Sequence, residues 1–151
     1  MADGSHGDRG FEPTPGFVTL VGAGPGAADL ITVRGWRRLQ EADVVVYDRL
    51  VGEALYRDLS CRVINAGKRC GEHRMTQTQI NELLIELARA GERVVRLKGG
   101  DPSVLGRGME EAIALAEAGV AHEIVPGVTS AVSAPMFAGI PVTHRGIADS
   151  F

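Results

Sequence analysis

Phe17-Val18-Thr19-Leu20-Val21-Gly22-Ala23-Gly24-Pro25-Gly26-Ala27 is an apolar run that breaks into glycines. Its second half reads G-x-G-x-x-A, the fingerprint of a loop that joins a strand to a dinucleotide-binding helix. Asp48 closes the next apolar run, at about the ~20-residue offset expected of a ribose-binding carboxylate. Two residues argue the other way. Pro25 has no N–H to offer a phosphate, and Gly26 is a poor helix former. The helix signals come later, with Asp29 or Thr32 as N-cap ahead of Val33, Trp36 and Leu39 on one apolar face. A wide loop, 22–31, therefore separates strand from helix, and its glycines let backbone approach a ligand closely. An ordinary turn of any α/β protein competes for this stretch taken alone.

Outward from this loop, apolar runs alternate with helical patterns. Strands are expected at Val18–Val21, Val44–Tyr47, Arg62–Asn65, Arg93–Leu97 and His122–Val125. They are valine-rich and continuous rather than alternating, as buried parallel strands are. The clearest helix runs from Thr76 to Ala90. Thr76 and Gln79 form a T-x-x-Q capping box, Ile80, Leu83, Leu84, Leu87 and Ala88 build one face, and Gly91 ends it. Further helices are expected over Met109–Ala118, with Glu110 and Glu111 at its positive end, and from Thr129-Ser130 to Ala138. A short one is expected over Glu53–Leu59. The β-α-β alternation predicts an α/β fold, an open, mainly parallel five-stranded sheet with helices on both faces.

Such a sheet binds ligands at the carboxyl ends of its strands. Those ends carry Gly22–Gly26, Asp48-Arg49, Ala66-Gly67-Lys68-Arg69, Lys98-Gly99-Gly100-Asp101-Pro102 and Pro126-Gly127-Val128-Thr129-Ser130. Each alone is a turn or a helix cap; five on one rim form a site. The chain has 151 residues, enough for one domain with a real core. Its net charge of −3 gives no global signal for nucleic acid. No apolar run reaches the ~18 residues of a membrane span. Residues 1–16 are rich in Gly, Asp and Pro, lack a signal-peptide core and read as a disordered tail. Cys61 and Cys70 are expected as reduced thiols in a cytoplasmic protein, and their spacing is not a zinc pattern, so no metal is expected.

Taken together, several ordered blocks resemble the tetrapyrrole methylase family. They are Val21-Gly22-Ala23-Gly24-Pro25-Gly26, Val46-Tyr47-Asp48-Arg49-Leu50-Val51, Gly67-Lys68-Arg69, Arg96-Leu97-Lys98-Gly99-Gly100-Asp101-Pro102, Gly106-Arg107-Gly108 with Glu110-Glu111, Val125-Pro126-Gly127-Val128-Thr129-Ser130-Ala131, and Gly139-Ile140-Pro141-Val142-Thr143-His144-Arg145. The resemblance implies a methyltransferase that binds S-adenosylmethionine between two α/β domains. It covers the first of these over 17–140, with 141–151 as the start of a linker or second domain. On that reading the second domain is missing, and the chain alone is expected to be inactive or weakly active. Leu105, often aromatic in the family, and Ser130, often Ala, depart from the pattern.

The resemblance further implies that Pro25, Gly99, Gly100, Asp101, Val104, Thr129 and Ser130 contact the methyl donor. That donor has no phosphate, which suits a loop without a pyrophosphate cradle. Asp101 is a plausible acceptor for a hydroxyl or ammonium. The Tyr47-Asp48-Arg49 and Gly67-Lys68-Arg69 blocks favour uroporphyrinogen III as substrate, methylated at two pyrrole carbons to precorrin-2 on the way to sirohaem or cobalamin. Its eight carboxylates call for cations, for which Arg49, Arg69 and Arg107 are candidates, with Lys68, His73 and Arg74 nearby. Asp48 matches the family's proton acceptor and Lys68 its proton donor. Family members are commonly homodimers. A later cobalamin-pathway methylase, diphthine synthase, an NAD-binding domain and a non-catalytic half-domain are the competing readings.

Overall fold

The computed structural model describes residues 16–67 and 75–151. Five strands form a single sheet: β1 (Phe17–Gly22), β2 (Val44–Tyr47), β3 (Arg62–Asn65), β4 (Arg93–Lys98) and β5 (Ala121–Val125). All four pairings are parallel and the order is β3-β2-β4-β1-β5. The helices are α1 (Val33–Glu41), α2 (Gln77–Arg89), α3 (Gly108–Glu117) and α4 (Ser130–Phe137). The five strands expected from the valine runs are all present, each within two residues of its expected bounds. The tail expected over residues 1–16 falls almost wholly outside the described residues. So do Lys68, Arg69, Cys70, His73 and Arg74.

Alternation along the strands explains why both sheet faces are covered. Val18, Leu20, Val44, Val46 and Val94 pack with Ile80, Leu84 and Leu87 of α2 and with Ala112 and Leu115 of α3. Val21, Val45, Val95 and Leu97 face the other way, onto Leu39 of α1 and Leu55. Burial of each such side chain stabilises the fold by about 1.5–3 kcal/mol. The helices begin where their caps require. The Thr76 hydroxyl accepts from the Gln79 N–H at 3.2 Å, and the Gln79 side chain accepts from the Thr76 N–H at 3.0 Å. Thr32 caps α1 by accepting from the Gly35 N–H. The helix expected over Glu53–Leu59 is shorter, a single 3-10 turn at Glu53–Leu55. Gly52 has no side chain to cap it, and the Tyr56 ring stacks on Tyr47 at 4.0 Å.

Strand order places the site. β1 and β4 are neighbours, yet the chain leaves β1 toward α1 on one face and leaves β4 toward α3 on the other. Divergence of adjacent connections opens a crevice at the carboxyl edge, where open α/β sheets bind ligands.

Candidate functional site

Three strand ends meet there, backbone against backbone. The Ala23 N–H donates to the Lys98 carbonyl at 2.7 Å. Gly24 and Gly100 exchange both hydrogen bonds, at 3.2 and 2.7 Å. Gly100 has φ +65° and Gly24 φ +80°, a region that favours glycine. A Cβ on Gly127 would lie 2.2 Å from the Gly100 carbonyl oxygen, and one on Gly22 would lie 2.5 Å from the Gly127 Cα. The glycines thus serve the junction of the β1, β4 and β5 ends. The amides of residues 23 and 24 are committed to the β4 loop, Pro25 has none, and α1 starts only at Val33. This loop offers no cradle for a pyrophosphate.

Above the junction lies a cleft of about 750 Å³. Gly24, Pro25, Asp48, Leu50, Gly99, Gly100 and the 104–107 loop line it, with Thr129, Ser130, Ala131 and Ala134 from the start of α4. Pro25, Gly99, Gly100, Val104, Thr129 and Ser130, expected from the sequence to touch one ligand, therefore line one cleft. Asp48 and Arg107 line the same cleft. Thr129 is the N-cap of α4, and Leu105 and Arg107 hold left-handed backbone at φ +52° and +56°. Arg49 instead borders an adjoining cavity of about 260 Å³ with Asp48, Ala66, Gly67 and Met75.

Asp101 stands behind the wall rather than on it. Its Oδ1 accepts from the Ser103 N–H at 2.8 Å and from the Ser103 hydroxyl, and its Oδ2 accepts from the Gly127 N–H at 2.9 Å. Burial acts to raise its carboxyl. The bonds from the Ser103 hydroxyl, the Gly127 N–H and the Ser103 N–H outweigh that and hold it below the usual carboxylate range. The sequence suggested a direct ligand acceptor; the geometry makes Asp101 first a clamp between the β4 and β5 loops.

The floor of the cleft carries charges that the sequence reading did not single out as site residues. Arg96 and Lys98, alternate residues of β4, line it although each side chain is only 3% exposed. Glu111 on α3 is fully buried. Its Oε1 accepts from Lys98 Nζ at 2.9 Å, Arg96 Nε at 3.2 Å and Gln77 Nε2 at 3.2 Å. Arg96 Nη2 lies 3.5 Å from Asp48 Oδ2, and Asp48 Oδ1 accepts from the Leu50 N–H. Burial, and then the Arg96 charge, push the Lys98 ammonium below its usual value against the pull of Glu111. The one signal in the sequence was the Arg96-Leu97-Lys98 alternation at the carboxyl end of β4, where a buried strand is expected to be apolar. Arg107, expected to hold substrate carboxylates, is paired at the surface with Glu110 at 2.8 and 2.7 Å. Among the described residues no cluster of His, Cys, Asp or Glu is arranged to hold a metal ion. No helix there is long and apolar enough to cross a membrane.

A family profile described as Tetrapyrrole (Corrin/Porphyrin) Methylases matches residues 18–151. The chain is 51% identical over 138 residues to a uroporphyrinogen-III C-methyltransferase of Methanocaldococcus jannaschii, covering 90% of the chain and 57% of that protein. It thus spans little more than half the length of that relative. A uroporphyrin-III-C-methyltransferase crystal structure from Thermus thermophilus superposes with a TM-score of 0.77 at 46% identity, covering 86% of this chain and 55% of that one. A second structure of that enzyme, complexed with S-adenyl homocysteine, gives 0.73 at 46% identity, covering 89% of this chain and 53% of that one.

Proposed function

The chain belongs to the tetrapyrrole methylase family, and from that premise we propose that its cleft receives S-adenosylmethionine and that the protein methylates uroporphyrinogen III at two pyrrole carbons, giving precorrin-2. The observation that carries the donor class is the glycine junction. Its loop amides bond to one another, leaving a cleft of about 750 Å³ suited to a ligand without phosphates. When bound, the donor supplies a sulfonium methyl to an electron-rich pyrrole carbon. The protein's task is alignment and exclusion of water.

Pro25, Gly99, Gly100 and Val104 form the donor's wall in this reading, and Thr129 and Ser130 offer hydroxyls at the head of α4. Asp101 holds the Gly127 turn in place from behind that wall. Asp48 is the proposed proton acceptor. It lines the cleft at the end of β2, fixed through Oδ1 by the Leu50 N–H and facing Arg96 through Oδ2. Lys68 is the proposed proton donor. Arg49, Arg69 and Arg107 are the proposed partners of substrate carboxylates, with Arg107 exchanging Glu110 for substrate. A homodimer is the proposed assembly.

Calorimetric titration tests the donor class. S-adenosylhomocysteine is expected to bind and NAD not to bind; the reverse result overturns the assignment. In a preparation that methylates, Asp48→Asn is expected to lower the rate about 100-fold or more with S-adenosylhomocysteine affinity unchanged. A rate equal to wild type removes Asp48 as base.

A further inference from the structure

We propose that the Lys98 ammonium, anchored by Glu111 in the floor of the cleft, is a receptor for a carboxylate of the ligand held there. The proposal rests on reading the cleft as a ligand site. The carboxylate comes either from the amino-acid end of the methyl donor or from a side arm of the tetrapyrrole.

The two floor cations differ in what they have left to give. Arg96 is engaged on every nitrogen: Nε with Glu111, Nη1 with the Val46 and Leu97 carbonyls at 3.4 Å, and Nη2 toward Asp48. An ammonium carries three N–H donors. Lys98 uses one, on Glu111 Oε1. That oxygen is already shared with Arg96 and Gln77. Two buried cations therefore lean on one buried carboxylate. Asp48, which is 30% exposed, lies 3.5 Å from Arg96 and pulls on Lys98 only from farther off.

A buried ammonium with unused donors is costly unless an anion completes it. Burial, and then the Arg96 charge, lower the Lys98 titration against the pull of Glu111 and Asp48. The position suits a receptor. Lys98 lines the cleft, and a Cβ on Gly106 would lie 3.5 Å from its Cε, so the 104–107 loop packs beside the ammonium end of the side chain. An arriving carboxylate takes up the unused Lys98 donors in charge-assisted bonds in a poorly screened place.

The test uses the 15N-labelled chain and the Lys98 ammonium resonance, assigned by its loss in Lys98→Met. Acetate is the minimal probe and is expected to shift that resonance saturably. S-adenosylhomocysteine, methylthioadenosine (the same nucleoside without a carboxylate) and uroporphyrin III separate the sources. If the donor carries the carboxylate, S-adenosylhomocysteine shifts Lys98 and methylthioadenosine does not. If a substrate arm carries it, uroporphyrin III shifts it. Lys98→Met is expected to weaken the responsible ligand about tenfold or more, and Lys98→Arg to retain most of the affinity. Lys98→Met combined with Glu111→Gln removes one buried charge of each sign, leaving Arg96 facing Asp48, and gives the same readout should the single variant not fold. A shift by acetate alone sustains the receptor and overturns the methyl-transfer reading. A Lys98 resonance unmoved by acetate, S-adenosylhomocysteine and uroporphyrin III overturns the receptor, as does an affinity within about twofold of wild type in the variant.

Discussion

At Asp101 one carboxylate joins two strand ends, and its energetics follow from three donors. Asp101→Asn places an amide N–H where the Gly127 or Ser103 N–H now donates, so one buried donor loses its acceptor. The expected loss is about 1–3 kcal/mol in urea denaturation. The pH dependence has a definite sign. The folded carboxyl is held below its ordinary value of 3.8, so its contribution is present above that value and is lost as pH falls through the lower, folded one. Wild type is expected to lose this contribution below about pH 4, while Asp101→Asn shows no corresponding loss. Equal acid profiles would refute the clamp. Glu111 poses the opposite problem. Glu111→Leu leaves Arg96 and Lys98 buried without their shared anion, and about 3–5 kcal/mol of stability is expected to go. Glu111→Gln keeps an oxygen for those donors and is expected to cost less.

The elements show which features a linear reading reaches. Strands were legible because buried parallel strands are valine runs, and α2 because Thr76 and Gln79 write its first turn into the chain. The pairing of Gly22, Gly100 and Gly127 was not legible. Gly22 ends β1 while Gly100 and Gly127 lie in the loops after β4 and β5, and only the sheet order brings the three together. Glu111 was read with Glu110 as a helix-start acid, the ordinary role of such a pair. Helix geometry turns one outward to Arg107 and the other inward to β4. The loops therefore sort by contact rather than by composition. Gly127→Ala must push a methyl to within 2.2 Å of the Gly100 carbonyl. It is expected to lose about 3 kcal/mol or more and ligand affinity with it. Gly26→Ala has open space around it, though at φ +139°, and is expected to cost about 1–2 kcal/mol of backbone strain. Thermal melts of the two variants separate a junction from a hinge; equal losses would contradict the junction.

For the whole molecule, strand order decides what the opening fingerprint means. In a dinucleotide-binding sheet the strand bearing the ribose acid lies beside the glycine-loop strand. Here β4 stands between β2 and β1, so Asp48 is carried one strand away from the Gly22–Ala27 loop and over Arg96 instead. The same order leaves the cleft walled by the loops after β1, β2 and β4 and by α4. The mouth is apolar and open to solvent. Leu105, which lines it, is fully exposed, and Val104 beside it is 40% exposed. High-affinity pockets bury about 70–90% of a ligand's surface, whereas the described walls enclose the cleft from these sides alone. The chain spans 57% of the Methanocaldococcus relative. The 151-residue polypeptide by itself is accordingly expected to bind S-adenosylhomocysteine at least about tenfold more weakly than that relative, the cost of about 1.4 kcal/mol of lost enclosure. It is also expected to form no fluorescent dimethylated product from uroporphyrinogen III. Parallel calorimetry and product fluorescence on the two proteins check this, and equal affinity with product formation would show that the described walls suffice.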